Sequence, residues 1–317
     1  MNVDDSASLS VDQSPPAEPR RPTVALALGA GGAKGLAHIG AIEEIQAQGY
    51  QIVAIAGTSM GALIGGVYAM GKLDVYRDWV STLAKFDVFK LLDWSFSGGG
   101  LIKGERIIGT LRQLIGDTCI QELPIAYTAV ATDLDREREV WLTRGSLFDA
   151  IRASIAIPTI FRPYVLDGRR LLDGALLNPL PVTPLIRESA DYLFAISMDG
   201  PALMTAAEPT PDPPTDGNGS RHRIGEFFGR LLPHSEEAKP REPGAWDLLN
   251  QSMDLMQANL ARLRLAAYEP DLLIQLPRNV STAYEFYRAR ELIERGRLQA
   301  REALAGWSKS TTPLRHP

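Results

Sequence analysis

The chain has 317 residues, 45% hydrophobic and 22% charged, with a formal net charge of −5. That length suits one large domain or two modest ones, with the composition of an ordinary globular protein. The negative balance speaks against nucleic acid, whose binders carry a basic face, and the single cysteine, Cys119, excludes an internal disulfide.

Residues 1–22 hold Pro, Ser and charged side chains without an apolar run, so they read as a disordered tail and not as a signal peptide. The fold begins at Thr23, where Val24–Leu28 is a short apolar run closed by glycines, the pattern of a buried strand. Leu36 to Gln48 carries Leu36, Ile39, Ile42 and Ile45 at helical spacing and stops at Gly49. Ile52–Ala56 repeats the strand pattern, and Ser59 to Met70 is a helix of small residues. Strand, helix, strand, helix in this order predicts a parallel sheet with right-handed crossovers.

Further strands are predicted at Ile125–Ala131, Glu139–Leu142, Phe161–Leu166, Arg169–Leu172 and Tyr192–Ser197. Asp167-Gly168 joins two of them as a two-residue hairpin turn, so the sheet is mixed. Between residues 200 and 245 the composition turns to Pro, Gly and Ser, and Glu208 to Ser220 lacks the apolar residues to build a core. A helix from Trp246 to Tyr268, a last strand at Leu272–Leu276 and a closing helix from Thr282 to about Ala305 follow, with a polar tail from Ser308. The expectation is one α/β domain over 23–307 with a flexible insertion. No run of 18 uncharged apolar residues exists, so no spanning helix is expected and the protein is placed in the cytoplasm. The reducing cytoplasm also suits Cys119, read as a buried, inert thiol.

Three features carry chemistry. Gly57-Thr58-Ser59-Met60-Gly61 is a G-x-S-x-G between a buried strand and a helix. Glycine at both flanks admits a turn so tight that it holds a serine hydroxyl on a corner at a helix N-terminus, in a positive backbone field. Gly29-Ala30-Gly31-Gly32-Ala33-Lys34-Gly35 is a second strand-to-helix loop, able to turn several N–H groups on one anion. A phosphate-binding P-loop would need Lys followed by Ser or Thr after the last glycine, and here Lys34 precedes Gly35. A dinucleotide fingerprint fails as well, with Lys at position 34 and no acid at the end of the second strand. An oxyanion hole asks only for N–H groups near a nucleophile, which this loop satisfies. Lys34 could steer an anionic head group or simply be solvated.

The third feature is the lack of a suitable histidine. His38 lies in the first helix as a satisfied, partly buried side chain, His222 and His234 fall in the insertion, and His316 is penultimate. A carboxylate is therefore the expected base, and Asp133, Asp167, Asp173 and Asp199 all sit near strand ends. Asp167 belongs to the hairpin turn. Asp173, followed by Gly174, is the leading candidate, with Asp199 next.

At this point the residues resemble a known family. A glycine loop ending in Lys34-Gly35, the Gly57–Gly61 elbow and Asp173-Gly174-Ala175 form the triple motif of the patatin-like phospholipases. Gly35–Gly40, Ala150–Pro158 and Leu171–Val182 are similar too, and the likeness covers about residues 23–200. The resemblance implies a three-layer α/β/α fold with a mixed, mostly parallel sheet and a Ser–Asp dyad. Ser59 is then the nucleophile, Asp173 the base, and the backbone of Gly31, Gly32 and Ala33 the oxyanion hole. Gly29, Lys34, Gly35, Gly57, Gly61 and Gly174 support the motifs. It implies hydrolysis of acyl esters in lipids without metal or other cofactor. Ala30 departs from the family loop, which usually carries glycine there.

Two other functions use the same residues: a thioesterase or small-ester hydrolase, and a non-catalytic adaptor that binds phosphate or protein through the glycine loop. Arg221 to Pro233 mixes basic residues with Ile224, Phe227, Phe228, Leu231 and Leu232, the pattern of a lipid-surface segment or lid.

Overall fold

The computed structural model describes residues 20–90, 103–158, 160–202 and 245–307. The predicted N-terminal tail, nearly all of the predicted insertion with its 221–233 stretch, and the polar C-terminal tail lie outside these residues.

The described strands form one mixed sheet, β1 (Thr23–Leu28), β2 (Gln51–Thr58), β3 (Ala126–Asp133), β4 (Arg138–Leu142), β5 (Tyr164–Leu166), β6 (Arg169–Asp173), β7 (Tyr192–Gly200) and β8 (Leu272–Pro277). Their order is β5-β6-β3-β2-β1-β7-β8, with β4 paired to β3. β3, β2, β1, β7 and β8 run parallel, and β4, β5 and β6 supply the antiparallel pairs. The central strands are apolar on both faces because helices cover both.

On one face pack α1 (Ala37–Ala47), α2 (Met60–Ala69) and the closing helix α8 (Ala289–Gly306), which share the larger core with Leu26, Leu28, Ile55 and Phe194. Glu43 and Glu44 of α1 hold Arg297 and Arg301 of α8. On the other face Ala25, Ala27, Ala54, Ala56 and Ala195 meet Leu180, Val182, Leu185 and Ala261, the last on α7 (Ala245–Ala267). Small residues on that face of the sheet let chain and helix approach closely. The result is the predicted three-layer α/β/α arrangement.

Between β2 and β3 stand α3 (Leu73–Val80), α4 (Lys85–Lys90) and α5 (Glu105–Ile115), and before β5 stands α6 (Leu147–Ser154), none of which the sequence reading assigned. Two other expectations need correction. The closing helix begins at Ala289, not Thr282. The Glu285 carboxylate instead accepts hydrogen bonds from the Thr282 N–H, the Tyr287 hydroxyl and Arg288, and that knot holds the chain in turns before the helix can start. Cys119 is half-buried rather than buried, in an isolated bridge to Ser146.

Candidate active site

β2 and β6 meet end to end along one edge of β3. Thr58, the last residue of β2, is paired with Val130, and Asp173, the last of β6, with the next residue, Ala131. Because β2 runs parallel to β3 and β6 antiparallel, the two strands point at each other there. This register brings Ser59 and Asp173 together. Ser59 is 4% exposed and Asp173 is 3% exposed, and the Ser59 hydroxyl stands close enough to the Asp173 carboxylate to favour its charged form.

Ser59 caps α2 with φ 56° and ψ −122°, a conformation that costs a non-glycine residue free energy and is held by its surroundings. Those surroundings need the flanking glycines. A Cβ on Gly57 would lie inside the Gly61 carbonyl, and one on Gly61 would lie inside the Leu28 carbonyl. The Ser59 N–H donates to Ser154 Oγ at 2.9 Å, and Ser154 donates onward to the Val130 carbonyl at 2.6 Å. Thr58 Oγ1 donates to the Asn178 carbonyl at 2.9 Å.

Burial raises the Asp173 carboxyl to about 6, against weaker opposing hydrogen bonds from the Ala175 N–H at 2.8 Å and from Ser59. The Asp173 N–H donates to the Ala156 carbonyl and its own carbonyl accepts from Thr132, so the backbone here is fixed on both sides.

The glycine loop leaves β1 beside this pair. Gly29 N–H donates to the Ile196 carbonyl and Ala30 N–H to the Pro179 carbonyl. A short 3-10 turn from Gly32 to Leu36 follows, with Gly32 at φ +54°, where a Cβ would stand 2.8 Å from the Ala283 carbonyl. Among the described residues the N–H groups of Gly31 and Gly32 meet no acceptor. Ala33, grouped with them from the resemblance, is committed elsewhere: its N–H donates to the Ala283 carbonyl at 2.9 Å. Two N–H groups of the loop, not three, are left without an acceptor among the described residues. Gly35 packs against Met60, and Gly174 against Val130 and Thr58, which fits the loop and the β6 end to the elbow.

His38 is wholly buried. Its Nε2 lies 2.8 Å from the Gly29 carbonyl and burial lowers its pKa to about 4, so the neutral ring donates to the loop. Nδ1 has no partner, which corrects the expectation of a satisfied, partly buried histidine. Lys34 is not solvated either: Nζ lies 3.8 Å from Asp199 and donates to the Met198 carbonyl at 3.4 Å. The remaining carboxylates are placed elsewhere. Asp133 closes the turn after β3 through the N–H groups of Asp135 and Arg136, Asp167 stands at φ 48° in the β5–β6 hairpin, and Asp199 faces Lys34. His222, His234 and His316 lie outside the described residues.

Ser154, Asn178 and Pro179 had no role in the sequence reading, although they lie inside two of the stretches that carried the resemblance. A small polar residue at the end of a helix was the only signal for Ser154.

A family model described as patatin-like phospholipase matches residues 26–186. An uncharacterised NTE family protein of Mycobacterium tuberculosis is 38% identical over 329 aligned residues, covering 89% of this chain and 91% of that protein. Neuropathy target esterase sws of Drosophila melanogaster is 30% identical over 183 residues, covering 56% of this chain and 13% of the fly protein. Lysophospholipase nte1 of Emericella nidulans is 28% identical over 183 residues, covering 55% of this chain and 12% of the fungal protein. With half of its length under one family model and a full-length relative at this identity, the chain belongs to the patatin-like phospholipase family.

Proposed function

We propose that this protein is a serine acyl-ester hydrolase acting on lipids, with Ser59 as nucleophile and Asp173 as general base. The observation that carries the reading is the buried contact between the Ser59 hydroxyl and a carboxylate whose pKa lies near 6. A base of that strength is ionised at neutral pH yet basic enough to accept a proton from an attacking hydroxyl. The names of the fly esterase and the fungal lysophospholipase support an ester of a lipid as substrate.

The cycle needs few parts. Asp173 takes the Ser59 proton as Oγ bonds to the ester carbonyl carbon. The N–H groups of Gly31 and Gly32 receive the oxyanion, a contribution of roughly 3–4 kcal/mol per donor. Asp173 returns the proton to the leaving alcohol as its C–O bond breaks. Water then attacks the acyl-serine, gives its proton to Asp173, and the fatty acid leaves as Ser59 regains its hydrogen.

Hydrolysis of a lysophospholipid by the purified chain, compared with Ser59→Ala, tests the reading. Activity confined to the wild type supports it; equal activity in a folded Ser59→Ala protein sinks it.

A further inference from the structure

The outward side of α7 is apolar. Among the described residues, thirteen large hydrophobic side chains are exposed, and five of them lie on α7. Leu248, Leu249, Leu255, Met256 and Leu263 are between 43 and 65% exposed. Leu249, Met256 and Leu263 follow one another at intervals of seven, as do Leu248 and Leu255, so all five fall on the half of the helix opposite Ala261, which is buried on the sheet. Among the described residues nothing covers that half.

The glycine loop lies toward the other side of α7, the stripe that holds Ala261. Asp254, on α7, is near enough to Lys34 and to Tyr284 for their charges to interact. Tyr284 is itself exposed, next to Ala283, whose carbonyl holds the Ala33 N–H. Phe86 on α4 is exposed beside it, where Lys85 lies over the Tyr287 ring. α7, α4 and the 281–288 turns thus each expose large apolar side chains.

The same rim is cationic in a chain of net charge −5. Arg262 follows Leu248 and Leu255 at the next interval of seven, and with Arg278 it lines a cleft of about 330 Å³ that Ser197 and Gln275 also line. Asp199 lines the same cleft and attracts both arginines, without a salt bridge to either among the described residues. Lys34 with the two arginines outnumbers the carboxylates Asp199 and Asp254. Apolar side chains flanked by arginines match the boundary between acyl chains and anionic head groups.

We propose that the outer face of α7 adsorbs to an anionic lipid surface, with Arg262 and Arg278 receiving head-group phosphates, so that lipid reaches the site from the membrane side. The proposal rests on the lipid-hydrolase reading for its purpose, although its test does not use hydrolysis.

Co-sedimentation of the full chain carrying Ser59→Ala with phosphatidylglycerol or phosphatidylcholine vesicles decides it. The expected result is preferential binding to phosphatidylglycerol. Leu255→Asp with Met256→Asp should lower binding about ten-fold or more, and Arg262→Ala with Arg278→Ala should remove the preference for the anionic lipid. All four positions are exposed, so the circular dichroism spectrum and melting temperature should stay at the parent values. Undiminished binding by the Leu255/Met256 variant overturns the proposal. So does binding that falls only with Phe227→Asp and Phe228→Asp, which would move the contact to residues 221–233. A third contrary result is a dimer in sedimentation equilibrium that the Leu255/Met256 variant breaks, with no vesicle binding, which would make the face a contact between copies. Because the protein used is inactive by design, failure here leaves the hydrolase reading standing, and failure of lysophospholipid hydrolysis leaves this result readable.

Discussion

Ser154 Oγ accepts a hydrogen bond from the backbone N–H of Ser59 at 2.9 Å and donates one to the Val130 carbonyl at 2.6 Å. One buried hydroxyl on α6 thereby ties the strained corner of β2 to the strand that also pairs with Asp173. On the proposed mechanism this contact positions the nucleophile.

Ser154→Ala leaves the Ser59 N–H and the Val130 carbonyl without this partner, a loss of about 1–3 kcal/mol in stability. On the proposed mechanism kcat should fall ten-fold or more with KM little changed, because the Ser59 hydroxyl shifts while the lipid contacts remain. Steady-state kinetics on a soluble ester separates the two constants. A purely structural role would lower melting temperature and leave kcat alone.

Asp173→Asn should abolish turnover, by about 10⁴-fold, and yet stabilise the fold. The sign follows from the raised carboxyl. The folded value near 6 lies above the ordinary 3.8, so proton binding is favoured by folding. The associated stability is present below pH 4 and lost as pH rises through 6, after which the buried charge costs about 3 kcal/mol. Asparagine carries no charge to bury and can still accept the Ala175 N–H. Denaturant unfolding at pH 7.5 should show the variant more stable than wild type; a less stable variant would contradict the burial argument.

The same group sets the pH profile. With Asp173 as base, kcat/KM for a soluble ester should rise with pH through a midpoint near 6 and level off above 7. A midpoint near 4 would point to a solvated carboxylate, and a flat profile from pH 5 to 8 would exclude Asp173 as the base.

His38 acts in the opposite direction. Its folded pKa of about 4 lies below the ordinary 6.5, so protonation favours the unfolded chain, and its stabilisation is lost as pH falls from 6.5 to 4. The loss is about 3 kcal/mol, similar to what Asp173 gains over nearly the same range, so the two offset each other in the wild type. His38→Gln, which keeps a donor to the Gly29 carbonyl, should therefore gain stability relative to wild type as pH falls from 6.5 to 4. Asp173→Asn should lose stability over the same range. Parallel curves for all three proteins would refute this coupling.

The parts of the site that were legible in the sequence depend on local sterics. Buried strand runs that end in glycine gave β1 and β2, and the G-x-S-x-G spacing located the corner at Ser59, because a side chain at Gly57 or Gly61 would overlap backbone. The Asp167-Gly168 turn was equally readable, with both residues at positive φ. What escaped depends on partners distant in sequence. That Ala33 donates to Ala283, and that Lys34 faces Asp199 instead of water, follows from how the 281–288 turns and β7 fold back over the loop. Nothing near residue 33 encodes that. The helix α5, by contrast, was readable and passed over: Ile108, Leu111 and Ile115 are buried at helical spacing.

The most direct test is covalent labelling by a fluorophosphonate, which reacts with a serine activated as a nucleophile. The account predicts labelling of the wild type at Ser59, none in Ser59→Ala, and little in Asp173→Asn although that variant is folded. Labelling of Asp173→Asn at the wild-type rate, or no labelling of well-folded wild type, would contradict the proposed dyad.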